Sequence, residues 1–198
     1  MKKLTSRQKQ AIATKVNIAK KAMELFKVYG YDSVKIKDIC DAAGVSVGAF
    51  YHYFESKEKI IDNCYAQAEA LVSEQVEELV CSSCYERIVK VFEQATLYIE
   101  ELGWRFMADM FKCIITSPSK YTLLETRYPY VFLRNEFQKG IDAGEFSPNI
   151  DTGRLTELCM KIGRGLVFDW CLHEGSYSLS EETVRSTRFL LDNHIKIQ

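Results

Sequence analysis

The sequence predicts an all-α protein of about nine helices, and three observations lead there. Apolar residues recur at steps of three and four along most of the chain, the period of a helix with one buried face. All three prolines (Pro118, Pro129 and Pro148) lie beyond residue 117, so long helices run without proline breaks through the first half. No segment alternates apolar and polar residues as a half-buried strand does, and no internal repeat is present. A chain of 198 residues with 47% apolar content is long enough for one domain of ordinary size, or for a small module joined to a larger one.

Ile12, Val16, Ala19, Met23 and Phe26 set the inward face of a first helix that stops near Tyr29-Gly30. Ile36, Ile39, Cys40 and Ala43 form a short second face, closed by Gly44. Ser46 is a natural N-cap for a third short helix, with Phe50 and Phe54 four residues apart in its core. Ser56 caps a fourth that runs through Ile60, Ile61, Cys64 and Leu71 toward Val80. Further helices are expected over 85–101, from Gly103 or Trp104 to just before Ser117, and over 122–143 with a start or kink near Pro129. Asp151 caps a strong helix reaching about residue 173, and Ser180-Glu181-Glu182 opens the last.

Composition removes several functional classes. No apolar run approaches the ~18 residues of a membrane span. The opening Met1-Lys2-Lys3-Leu4-Thr5-Ser6-Arg7 runs straight into a mixed polar helix pattern, so no cleaved export signal is expected. Seven cysteines, an odd number set mostly among apolar residues, fit a reducing cytoplasm better than a disulfide framework. Only Cys81 and Cys84 have metal or redox spacing, and His52, His173 and His194 lie far from them, so no metal or other cofactor is expected. Nucleotide-binding glycine loops, zinc-protease motifs and nucleophile elbows are missing from the sequence, which argues against an enzyme.

The net charge of −1 conceals an asymmetry: residues 1–60 hold twelve Lys/Arg against six Asp/Glu, and the remainder is acidic. A basic head on an acidic body points to a polyanionic partner for the head. Residues 35–54 give that partner a structural basis. A two-turn helix ending in Ala43-Gly44, a reversal through Val45 and a new helix from Ser46 make a helix-turn-helix, which sets its second helix in the DNA major groove.

Between Ile12 and Ile61 the chain resembles the tetracycline-repressor (TetR) family of bacterial regulators. The resemblance rests on Ala22-Met23-Glu24-Leu25-Phe26, Gly30-Tyr31, Ile39, Ala43-Gly44-Val45-Ser46, Gly48, Phe50-Tyr51, Tyr53-Phe54 and Ser56-Lys57-Glu58, in order and spacing. Val34-Lys35 departs from it where Thr or Ser often caps the second helix, as does Cys40 in place of a common Ala. The resemblance implies a DNA-binding domain over 1–58 and a helical ligand-binding and dimerisation domain over 59–198. Ser46, Val47, Gly48, Ala49 and His52 are then candidates for base-edge and nearby contacts, with Val47 and Ala49 suited to thymine methyls. Tyr51, Tyr53 and Lys57 match phosphate-binding positions, and Lys37 and Lys35 on the bracing helix would add phosphate contacts. The basic tail (Lys2, Lys3, Arg7, Lys9) would reach a neighbouring groove or remain solvated.

Eight aromatics fall within Trp104–Phe137, about twice the chain average. They form either an aromatic core or, as the family resemblance implies, the wall of a cavity for a small hydrophobic or aromatic effector. Trp104, Met107, Met110, Phe111, Tyr121, Tyr128, Phe132 and Phe168 are its candidate lining, with Asp109, Glu125 or Arg127 to orient a polar group. An aromatic cage suits a lipophilic cation and a flat neutral ring alike, so the charge of the effector stays open. The last two helices carry apolar stripes, Leu155, Leu158, Ile162 and Leu166 on one and Val184 and Leu191 on the other, with Gly163 and Gly165 permitting close approach. The resemblance implies that they pair with their copies in a homodimer that meets a palindromic double-stranded operator. The expected function is a ligand-responsive repressor. A regulator that senses thiol oxidation through Cys81 and Cys84, or one whose ligand activates DNA binding, stays open as an alternative.

Overall fold

The computed structural model describes residues 5–195, and among these it contains nine α-helices and no strand. They are α1 (Ser6–Tyr29), α2 (Ile36–Ala43), α3 (Val47–Tyr53), α4 (Lys57–Glu77), α5 (Cys84–Leu102), α6 (Trp104–Thr116), α7 (Tyr128–Asp142), α8 (Thr152–Leu172) and α9 (Leu179–His194). A single 3-10 turn, Tyr121–Leu123, stands between α6 and α7. Side-chain oxygens open most of these helices by accepting an otherwise unpaired first-turn N–H: Thr5, Ser46, Ser56, Ser83, Asp151 and Ser178. The last helix is thus capped by Ser178, two residues ahead of the expected Ser180. Pro129 sits in the first turn of α7, where its missing N–H costs nothing.

Two apolar cores hold the chain together. One gathers Ile18, Phe26, Ile39, Phe50 and Ile60 from the first four helices and continues into Phe106, Met110 and Trp170 of α6 and α8. The other joins Ile88 of α5, Leu133 and Phe137 of α7, Phe146, Leu155 of α8 and Leu191 of α9. Each fully buried phenylalanine among them contributes roughly 1.5–3 kcal/mol relative to exposure. Gly140 is dictated by this packing: a Cβ there would stand 2.1 Å from the Phe146 ring.

Two expectations are corrected. The inward face of α1 is Ile18, Ala19, Ala22 and Phe26, whereas Ile12 and Val16 are largely exposed. The apolar stripe is real, but Ile12 is left uncovered and Val16 borders open space. The fourth helix ends at Glu77, and Val80 is fully exposed in the link to α5.

Candidate DNA interface and effector cavity

Gly44 takes the left-handed conformation (φ 67°) that ends α2, and the Val45 N–H donates to the Cys40 carbonyl at 3.0 Å, turning the chain into α3. No side chain caps α2 from Lys35. Instead the Lys35 backbone N–H donates to Asp38 Oδ2 at 2.8 Å, which supplies part of the missing cap from inside the helix. Asn17 of α1 donates to the Ala43 carbonyl at 3.0 Å and ties the end of α2 to α1. Phe50 and Phe54 are buried, so the α3 backbone is pinned by one face while the other is free.

On the free face Ser46, Val47, Gly48, Tyr51 and His52 are exposed, and Ala49 and Tyr53 are half-buried. The Ser46 hydroxyl oxygen accepts from Ala49 N–H at 3.1 Å, leaving its own proton for a phosphate. Lys35, at the N-cap of α2, and Lys37, in its first turn, are exposed. Lys57 is turned inward: its ammonium donates to the Tyr31 carbonyl at 2.7 Å and the Val34 carbonyl at 3.0 Å, and lies 3.9 Å from the centre of the Tyr31 ring. In this structure Lys57 clamps the α1–α2 loop to the start of α4 instead of standing free for a phosphate. Beside it the Tyr31 hydroxyl donates to Glu58 at 3.2 Å. The Ser56 hydroxyl, the first-turn backbone and Tyr31 hold the Glu58 carboxyl below its usual range. Of the basic tail, Arg7 and Lys9 are exposed in the first turns of α1, and Lys2 and Lys3 lie outside the described residues.

The helical body contains a cavity of about 590 Å³, within the span typical of small-molecule sites. Met107, Met110 and Phe111 of α6 and Tyr128 and Phe132 of α7 line it, joined by Phe92 and Ile99 of α5, Leu71 and Val72 of α4 and Met160 and Val167 of α8. Its wall also includes Val16, Ala19, Lys20, Met23, Glu24 and Lys27 of α1. Three residues expected on this wall are placed elsewhere. Trp104, at the N-terminus of α6, packs over Gly175, and its carbonyl accepts from the Cys171 thiol at 3.6 Å. Tyr121 faces a separate small cleft bounded by Asp62, Tyr65 and Ser119, with its ring 5.1 Å from the Arg127 guanidinium. Phe168 points outward, 45% exposed, with its ring edge against Phe111. Of the polar candidates only Arg127 reaches the cavity; Glu125 pairs with Arg134 at the surface, and Asp109 pairs with Lys112 at 2.9 Å.

Two polar ties bind α4 to the segment between α6 and α7. Ser119 Oγ donates to Asp62 at 3.0 Å, and Arg127 is ion-paired with Glu69 while donating to the Thr122 carbonyl at 2.7 Å. Burial pushes the Tyr65 hydroxyl beside that pair well above its usual range. Sequence reading missed Glu69, Phe92, Met160 and Arg164, because a helical stripe that faces a cavity has the same period as one that faces a core.

The cysteines are all free. Burial raises the thiols of Cys64 and Cys159 to about 12, and burial followed by the nearby Glu136 and Glu145 carboxylates raises Cys84 to about 11. Glu145 also receives the Cys84 and Tyr85 backbone N–H groups at 2.8 and 2.9 Å. A thiol raised in this way holds less thiolate at neutral pH than a free one. Among the described residues no three His, Cys, Asp or Glu side chains cluster to hold a metal, and no helix is long and apolar enough to cross a membrane.

Along α8 and α9 the expected interface set divides. Leu155 and Leu191 are buried inside the chain's own core and are withdrawn from the interface. Leu158, Ile162, Leu166 and Val184 are half-buried. Elsewhere on these helices Phe168, Leu172 (66%) and Phe189 (74%) are exposed, and a Cβ at Gly165 would meet open space.

An exposed second helix in a helix-turn-helix, joined to a helical body with an apolar cavity, defines a DNA-binding regulator. Residues 18–64 match the family of bacterial regulatory proteins described as the tetR family. The HTH-type transcriptional regulator UidR of Escherichia coli (strain K12) is 26% identical over 173 residues, covering 82% of this chain and 84% of that protein. Salmonella enterica GusR shares the fold with a TM-score of 0.68 at 20% identity, covering 96% of this chain and 100% of that one. The Thermus thermophilus FadR repressor, solved with lauroyl-CoA, does so with a TM-score of 0.76 at 19% identity, covering 93% and 96%. The N-terminal residues 18–64 thus carry the DNA-binding region of the tetR family, and relatives matched over most of the chain are transcriptional regulators.

Proposed function

We propose that this regulator is a ligand-responsive repressor that binds a palindromic operator as a homodimer and leaves it when a small hydrophobic or aromatic effector fills the cavity. Residues 1–58 serve as the DNA-binding domain and residues 59–198 as the effector and dimerisation domain. One observation carries the reading: the cavity wall includes α1, so a molecule held among α4–α8 touches the unit that presents α3. A ligand that prefers one spacing of the two recognition helices then shifts DNA affinity, and one that binds both states equally shifts nothing.

In this reading Val47, Gly48, Ala49 and His52 meet base edges, while Ser46, Tyr51, Tyr53, Lys35 and Lys37 position the domain on phosphates. Lys57 supports the surface by clamping its scaffold, and reaches a phosphate only if it leaves the Tyr31 and Val34 carbonyls. The exposed Phe168, Leu172 and Phe189 supply the apolar surface that a second copy covers.

The test is fluorescence anisotropy on the DNA upstream of the protein's own gene, across a salt series. Wild type should bind selectively, and Lys37→Ala/Tyr51→Ala should weaken binding and flatten the salt dependence by about 0.9 in logarithmic slope, the share of the one charge lost at Lys37. Weak binding, equal on unrelated DNA and unchanged by the two substitutions, would overturn the assignment of this surface.

A further inference from the structure

Aromatic content alone left the effector's charge open; the ionic partners around the cavity decide it. We propose that the cavity takes an amphiphilic anion, an apolar chain or ring system bearing a carboxylate or similar oxyanion, with Arg164 as the anchor of its head group. The proposal rests on the cavity being the effector site.

Two acidic side chains line the cavity, and both already have a cation. Glu24 is paired with Lys21 at 2.8 Å, and Glu69 with Arg127. A cationic effector would therefore find no free carboxylate, and would share the space with Lys20, Lys27, Arg127 and Arg164. Burying such a charge without a partner is strongly unfavourable. The four cations are not equivalent. Arg127 already has its charge paired by Glu69 and donates to the Thr122 carbonyl, with the Tyr65 and Tyr121 rings beside it. Lys20 and Lys27 are exposed at the rim on α1, and Lys27 donates to the Glu101 carbonyl at 3.1 Å.

Arg164 stands apart from these. It is half-buried on α8, it spends one N–H on the Tyr130 hydroxyl at 3.1 Å, and among the described residues no acid lies within ion-pair distance of it. A guanidinium has five N–H donors in a planar fork that matches the paired oxygens of a carboxylate, so most of this one's capacity is unused. The apolar surroundings it shares with Phe92, Met160 and Val167 strengthen a charge-assisted bond made there. Met107, Met110 and Phe132 extend the same wall and accept the apolar part of the molecule.

The experiment is isothermal titration of the full-length protein with dodecanoate, dodecanol and dodecylammonium below their micellar concentrations, with thermal melts to verify folding. Wild type should bind dodecanoate at least about tenfold more tightly than dodecanol, with the ammonium weakest. Arg164→Met should bring the carboxylate and alcohol to within twofold of each other by lowering only the carboxylate's affinity. Arg164→Lys should retain part of the difference, and Lys20→Ala/Lys27→Ala should leave it intact. Equal affinities in wild type, a preference that survives Arg164→Met, a preference lost only in the lysine variant, or no binding by any probe each overturns the proposal. Operator release, followed by anisotropy, separates this from the gating reading. A head-group preference without release overturns gating alone, and release by acid and alcohol alike overturns the anionic head alone.

Discussion

The helix-turn-helix unit and the helical body are made from the same kind of amphipathic helix, yet they hold their chemistry on opposite sides. In the unit around α3, Phe50 and Phe54 fill the interior and the side chains with a candidate role, Val47, Gly48, Tyr51 and His52, look outward within six residues of sequence. Around the cavity, the candidate side chains look inward from α4, α5, α6, α7 and α8 of the body and from α1 of the unit, and neighbours across it lie scores of residues apart. A local site is legible wherever capping and turn chemistry are legible; an assembled one is not. The outer face of α8 and α9 forms a third case, since its exposed aromatics are set by a fold that had first to bury Leu155 and Leu191.

The largest expected effect comes from breaking the proposed dimer without touching either site. Leu172→Arg/Phe189→Arg places two charges on exposed positions of α8 and α9 while sparing the residues packed on the two cores. Sedimentation should give monomers, and operator affinity should fall by at least about a hundredfold, because joining two half-site readers raises avidity by 10²–10⁴. A dimer of unchanged affinity would break the division drawn here between outward and inward apolar residues. Leu158→Arg and Leu166→Arg are poorer choices, because each of these leucines also packs against a buried core, so misfolding and dissociation would be confounded.

A middle-sized effect should separate the cavity from the DNA surface. Met107 is buried, yet it borders open space, so Met107→Trp has room that a close-packed core would deny. Effector potency should drop about tenfold or more while operator affinity changes less than about threefold, as read by anisotropy with and without ligand. Equal loss of both would mean that the two regions are not separable at this wall, and would make α1 a structural part of the cavity instead of its reporter.

These contrasts explain what sequence reading reached. Gly44, Ser46, Asp151 and the Phe50/Phe54 pair act within a few residues of themselves, and the structure places each where its chemistry put it. Ile12 and Leu155 share the same helical period, yet one is exposed and the other buried, because period reports a face and not what covers it. Trp104, Tyr121 and Phe168 failed for a related reason: aromatic density marks a region, while their directions depend on Gly175, Arg127 and the outward turn of α8. Lys57 matches a phosphate-binding position, but two carbonyls of the preceding loop offer its ammonium a nearer partner.

The smallest effect tests that last clamp. Glu58 has its carboxyl held below the usual range by the Ser56 hydroxyl, its own backbone and the Tyr31 hydroxyl, so folding favours its ionised form. A carboxyl depressed in the folded state adds stability that is present above its unfolded value, about 4.3, and is lost as pH falls through the lower folded value. Glu58→Gln should therefore melt at a slightly lower temperature than wild type at pH 7, and the gap should close as the pH approaches 3. The group is exposed, so solvent screening keeps the difference small. Tyr31→Phe removes one of the three hydrogen-bond donors and should give part of the same pH dependence, with the Lys57 clamp on the Tyr31 backbone left in place. A gap that is constant between pH 7 and pH 3 would mean that Glu58 contributes through packing alone, and that the loop before α2 is held by Lys57 without help from its neighbour's charge.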